Sequence, residues 1–219
     1  MKSFHALILG ATGSTGQVLL DLILKDSSYD KVSIFVRRKT SIEHEKLITH
    51  EIDFTRLKDY KRLIYGDILF SAFGTTLKDA GSKNQQYLVD FTYQYEFAKM
   101  ASDNGINYLS LVSSAGANER SFFFYPKIKG ELEQAVKKLR FKKIQIFQPP
   151  ILIRQPELMR NGERICIKLL NVLNKIGLLK SQKPLSVSFL AKKMICEIKS
   201  EKILGIKTYE PKDIFSSKL

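Results

Sequence analysis

A chain of 219 residues, 44% hydrophobic and 26% charged, is globular and long enough to bury a sizeable core. Its 36 Lys plus Arg outnumber 22 Asp plus Glu, and the excess is one-sided: residues 1–119 hold 14 of each sign, residues 120–219 hold 22 basic and 8 acidic. No apolar run reaches membrane-spanning length. No secretory leader is expected, and Cys166 and Cys196 stand apart, as reduced buried thiols do, without a metal-binding spacing.

The first element is an apolar run from Phe4 to Leu9, broken only by His5, which predicts a short buried strand. Gly10, Gly13 and Gly16 follow at intervals of three, and Val18/Leu22 and Leu19/Ile23 then fall at helical spacing. Strand, glycine turn and helix in that order make a phosphate cradle. Gly10 allows the sharp turn, Gly13 lets backbone approach a phosphate, and Gly16 lets the helix pack on the strand. Lys31–Val36 predicts a second strand, ending at Arg37-Arg38-Lys39. In a dinucleotide fold this point meets the adenosine ribose; an acid there selects NAD, and arginine suits the 2′-phosphate of NADP. The two arginines favour NADP over NAD.

Leu47–Asp53 predicts a third strand, and Leu57–Ile64 a helical or loop segment. Asp67–Gly74 predicts a buried strand that brings Gly74-Thr75-Thr76 to a ligand-facing strand end. Asp79–Lys83 reads as a loop. Between Asn84 and Asn104 a helical pattern places Tyr87, Phe91, Tyr95 and Ala98 on one apolar stripe, expected in the core. Tyr108–Val112 and Ile144–Phe147 are further strands, separated by a helix expected from Pro126 to about Leu139. Beyond Pro149-Pro150, a helix over Glu163–Leu179 is expected to lie over a substrate pocket. Its Lys168 and Lys175 also suit a membrane surface. Ser186–Ile198 is another helix. The alternation predicts an α/β fold: a doubly wound, mostly parallel sheet in one domain over 1–219, with 151–185 as a small C-terminal lid insertion.

Ser113-Ser114 ends one of these strands, and Tyr125 and Lys129 open the next helix four residues apart. A carbonyl accepting a hydride needs a proton on its oxygen. Tyr125 can supply it, an ammonium at Lys129 would tune that phenol, and the Ser114 hydroxyl could hold the same oxygen.

This ordered set resembles the short-chain dehydrogenase/reductase superfamily. Phe73–Ser82, Leu111–Ala117 and Lys129–Glu133 are similar to its Tat-interacting-protein-like atypical reductases. The resemblance implies a Rossmann-type sheet and NADP(H), with NAD(H) second. Cofactor contacts are implied at Gly10, Thr12, Gly13, Ser14, Thr15, Gly16, Arg37, Arg38, Asp53, Phe54, Gly74, Thr75 and Lys129. Ser114, Tyr125 and Lys129 would be catalytic, and no metal is implied. Asp90 stands where many relatives have Asn, and Ile128 where many have Ser.

The function expected is hydride transfer to or from a small carbonyl or alcohol; the alternative is an NADPH-binding regulator similar to the NmrA-like sensors. The basic second half reads as solvated helix faces, because no aromatic-interleaved stripe marks a nucleic-acid surface. A monomer or homodimer is expected. Placement is expected to be cytoplasmic, with Ser217-Lys218-Leu219 matching a peroxisomal address in a eukaryote.

Overall fold

In a computed structural model of the chain, the described residues are 3–153, 183–200 and 204–216. Strands β1 (Phe4–Leu9), β2 (Tyr29–Val36), β3 (Leu47–Glu51), β4 (Ile68–Ser71), β5 (Tyr108–Val112) and β6 (Lys143–Phe147) join a single sheet. The short strands β7 (Leu152–Ile153) and β8 (Leu185–Ser186) pair separately, and β9 (Gly205–Tyr209) completes the main sheet. Its order is β3-β2-β1-β4-β5-β6-β9, and every neighbouring pair is parallel. Parallel strands covered on both faces read as continuous apolar runs, which is why Leu7-Ile8-Leu9 and Ile68-Leu69-Phe70 do not alternate.

Helices cover both faces. On one, α1 (Ser14–Lys25) packs with a later helix, Val187–Lys199, through Leu19, Ile23, Leu190 and Met194. On the other, Phe97 and Ala101 of α4 (Tyr93–Asp103) join Leu132 and Val136 of α5 (Phe124–Val136) and Leu57 of a 3₁₀ segment, Phe54–Leu63. The chain also forms α2 (Leu77–Ala80) and α3 (Lys83–Tyr87), and α3 runs into α4 through a π turn, Leu88–Thr92. The Gln94 side-chain amide donates to the Asp90 carbonyl at 3.0 Å within that turn. The helix Val187–Lys199 is α6, and α7 (Pro211–Ser216) follows β9.

Strand order reverses between β1 and β4, so a crevice opens beyond their C-terminal ends. Gly10 follows the first strand there, and Ala72 to Gly74 follow the other.

The expected fold holds, and several local expectations change. The aromatic stripe Tyr87, Phe91 and Tyr95 is half-buried on the rim of the core. The buried face is one residue away, at Gln86, Asp90 and Gln94, with Ala98 joining it. The helix expected from Pro126 begins two residues earlier. Pro126 is tolerated in the first turn because the amide it lacks has no helical partner there. Cys196 is exposed on α6, not buried. β9 and α7 had no expected counterpart. On β6, the buried Lys143 ammonium donates to the Glu197 carbonyl at 2.6 Å and to that of Ser200, closing the C-terminal end of α6. Cys166, the Glu163–Leu179 helix and most of the 151–185 lid lie outside the described residues.

Candidate functional site

The glycine turn divides its work among three positions. Gly10 has φ of +88°, and a Cβ there would stand 2.7 Å from the Ala72 carbonyl carbon. A Cβ on Gly16 would stand 2.0 Å from the Gly10 oxygen, so helix and strand touch through it. Gly13 is different. A Cβ there would approach the Gly10 oxygen at 3.3 Å, but Gly13 also forms the wall of a cleft of about 350 Å³ together with Ser14 and Thr15. Gly13 caps α1 without a side-chain hydrogen bond, and the first turn holds no acidic residue. That helix end attracts anions, and the bare backbone fits the pyrophosphate of a dinucleotide. Thr12 is exposed, and its carbonyl accepts from the Gln17 side chain at 3.2 Å.

Arg37 follows β2 and lines this cleft and a second one of about 480 Å³. Asp53, Phe54, Tyr60 and Tyr93 also line the second cleft. Both arginines are exposed, but Arg38 lines neither cleft, so the structure separates two residues that the sequence presents as equals. Phe54 stacks on Phe73 with centroids 4.9 Å apart, and this pair partitions the two clefts. Asp53 caps the 3₁₀ segment, accepting from the Thr55 amide at 2.9 Å and hydroxyl at 2.7 Å. These two bonds hold its carboxyl below the usual range.

Tyr125 and Lys129 line the same first cleft, together with Gly74 and Thr75. Tyr125 is 38% exposed, and its ring centroid lies 5.9 Å from the Lys129 Nζ. One helical turn separates them on α5, which is why their spacing of four brings them together. Lys129 is 3% exposed, and its Nζ lies 3.1 Å from Oδ1 of Asp90. Burial opposes the Lys129 ammonium, but Tyr125, Asp90 and Glu133 outweigh it, and its pKa stands above the ordinary lysine value. A Cβ on Gly74 would lie 3.0 Å from the same Asp90 oxygen.

Ser114 is half-buried, and its hydroxyl donates to the Ala115 carbonyl at 3.3 Å. Ser113, not Ser114, lines the cleft, and its hydroxyl donates to Glu133. Gln148 donates to both Glu133 oxygens, at 2.9 and 3.0 Å. Sequence reasoning missed this buried cluster, although Glu133 follows Lys129 at helical spacing. It also missed Gly130. A Cβ there would lie 2.2 Å from the Glu119 amide nitrogen, so the loop before α5 rests directly on that helix. A glycine inside a helix, where propensity disfavours it, was the available signal.

A family model described as NAD(P)H-binding matches residues 10–143. Protein HTATIP2 of Rattus norvegicus is 36% identical over 172 residues, covering 77% of this chain and 71% of that protein. Protein FMP52-1, mitochondrial, of Scheffersomyces stipitis is 35% identical over 181 residues, covering 80% of this chain and 75% of that protein. In fold, the chain matches a UDP-N-acetylglucosamine 4-epimerase from Methanobrevibacter ruminantium. The TM-score is 0.70 at 16% identity, over 95% of this chain and 76% of the epimerase. It also matches a short chain dehydrogenase family protein from Francisella tularensis, with TM-score 0.67 at 15% identity over 96% and 98% of the two chains.

These relatives correct the expected placement. The FMP52 proteins of Scheffersomyces stipitis, Aspergillus niger and Kluyveromyces lactis are mitochondrial, which overturns the cytoplasmic and peroxisomal readings. Ser217-Lys218-Leu219 lies outside the described residues. A glycine cradle under an uncapped helix, a sheet that reverses above it and relatives that share most of the chain agree: this protein belongs to the NAD(P)H-binding family, together with HTATIP2 and the FMP52 proteins.

Proposed function

We propose that the chain is an NADP(H)-dependent oxidoreductase that moves a hydride to or from a small carbonyl or alcohol. The reading rests on one shared wall: a single cleft is lined both by the N-terminus of α1 and by Tyr125 with Lys129. Gly13, Ser14 and Thr15 would hold the pyrophosphate, Arg37 the 2′-phosphate, and Asp53 and Phe54 the adenine side. The nicotinamide, when bound, supplies or accepts the hydride. Tyr125 is the acid/base, half-exposed to a substrate entering the cleft. Ser113 is committed to Glu133; the Ser114 hydroxyl, which donates to the Ala115 carbonyl and does not line the cleft, would have to turn from that bond to orient the substrate oxygen.

Fluorescence titration with NADPH and NADH tests the cofactor. NADPH should bind about tenfold or more tightly, because charge-assisted bonds to the 2′-phosphate are strong. Arg37→Ala should erase the preference and Arg38→Ala should keep most of it. Equal affinities in the parent protein overturn the NADP assignment. Tight NADPH binding with no turnover across a panel of aldehydes and ketones selects the sensor reading instead.

A further inference from the structure

The middle of the site holds a buried charge pair that proton transfer by Tyr125 does not itself demand. Asp90 is 0% exposed on the π turn, with Oδ1 at 3.1 Å from Lys129 Nζ and at 3.4 Å from the Thr75 amide. Its Oδ2 is buried without a hydrogen-bond partner among the described residues, so the ammonium is the main compensation for burying this carboxylate. An ammonium alone beside a phenol favours the phenolate; a carboxylate in contact with that ammonium cancels its field, and strongly so away from water. Glu133, one turn further along α5, is a second negative group that favours the Lys129 ammonium, though it also lies 4.0 Å from the Lys137 Nζ. Arg37 and Asp79 are the remaining charged residues on the cleft wall.

We propose that Asp90 is a positioning residue acting through Lys129: it cancels the ammonium charge beneath Tyr125, keeps the phenol in its acid form, and biases the site towards carbonyl reduction. This rests on the oxidoreductase reading and gives it a direction. In that direction the carbonyl carbon takes the hydride of a reduced nicotinamide dinucleotide, and a C–H bond forms. The π pair moves to oxygen, which takes the proton as the Tyr125 O–H bond breaks. The dinucleotide is left oxidised, and solvent reprotonates the phenolate. Alcohol oxidation needs the phenolate as base, and the Asp90–Lys129 pair withholds it.

The test is an ultraviolet titration of tyrosinate in the cofactor-free protein. The difference between parent and Tyr125→Phe isolates the Tyr125 transition, and the same difference is taken in an Asp90→Asn background. The midpoint should fall by about one pH unit or more in the Asp90→Asn protein. The acid limb of alcohol oxidation should move down with it. An unchanged or higher midpoint overturns the proposal. If the asparagine variant does not fold, Asp90→Ser, smaller and uncharged, carries the same measurement. A lowered midpoint in a protein that binds NADPH but turns nothing over supports the charge role of Asp90 and overturns the oxidoreductase reading.

Discussion

Tyr125 and Lys129 illustrate how little separates a reactive side chain from a structural one at the residue scale. Both lie on the first turns of α5, yet one is 38% exposed and the other 3%. Both line the cleft, the phenol as its more exposed group and the ammonium as its buried one. Tyr125→Phe removes one hydroxyl and leaves the ring. It should lower turnover of any accepted carbonyl at least about 100-fold, the scale of a lost general acid. NADPH affinity in the same titration should stay near the parent value. A rate close to the parent's removes Tyr125 from the chemistry. Gly13 makes the complementary point: Gly10 and Gly16 are required by the protein's own backbone contacts, whereas Gly13 faces the cleft.

At the scale of elements, α5 owes its seating to Gly130. The Asn118–Glu119 backbone crosses the helix where a side chain would stand, within 2.2 to 2.6 Å of a Cβ. Those are backbone atoms, which cannot swing aside as a flexible side chain can. Gly130→Ala should therefore destabilise the fold by about 1–3 kcal/mol, the cost of overpacking, despite the better helix propensity of alanine. Urea denaturation measures it; a stabilised variant would show that the loop moves freely. Because Tyr125 and Lys129 ride on the same helix, the variant should also lose activity at temperatures where it is still folded. The helix from α3 through the π turn to α4 shows a second element-level effect. Two polar residues of its buried face meet partners from other elements: the Ser71 hydroxyl donates to Gln94 at 3.1 Å, and Lys129 pairs with Asp90.

Across the whole molecule, the distant end of the chain is tied back to its beginning. Lys199, the last residue of α6, pairs with Asp26 in the turn between α1 and β2, and it donates to Ser28 at 2.7 Å. Burial alone would raise the Asp26 carboxyl, but the Lys199 and Ser28 hydrogen bonds outweigh it and hold the pKa below its usual 3.8. A carboxyl with a depressed folded-state pKa stabilises above its unfolded value and loses that contribution as pH falls through the folded value. Asp26→Asn should thus be less stable than the parent at neutral pH, by about 1 kcal/mol or less for a partly exposed pair. The gap should close below about pH 4. Thermal unfolding of both proteins across that range checks it, and a gap independent of pH would assign the loss to packing.

Much of this architecture is local in origin and therefore legible along the chain. The apolar run of β1, the glycines at Gly10, Gly13 and Gly16, and the four-residue spacing of Tyr125 and Lys129 each act within a turn or a strand of themselves. Their consequences hold whatever the rest of the molecule does. Other features depend on groups far away in sequence. Arg37 and Arg38 are chemically alike and both exposed, yet the fold puts only Arg37 on the walls of the two clefts. The stripe of Tyr87, Phe91 and Tyr95 and the buried row of Gln86, Asp90 and Gln94 share one helical period, offset by a single residue. Hydrophobicity alone favours burying the aromatic stripe. The tertiary structure decides otherwise: Ser71 and Lys129 arrive from other elements to partner Gln94 and one oxygen of Asp90, and a buried polar group is tolerated where it finds such partners.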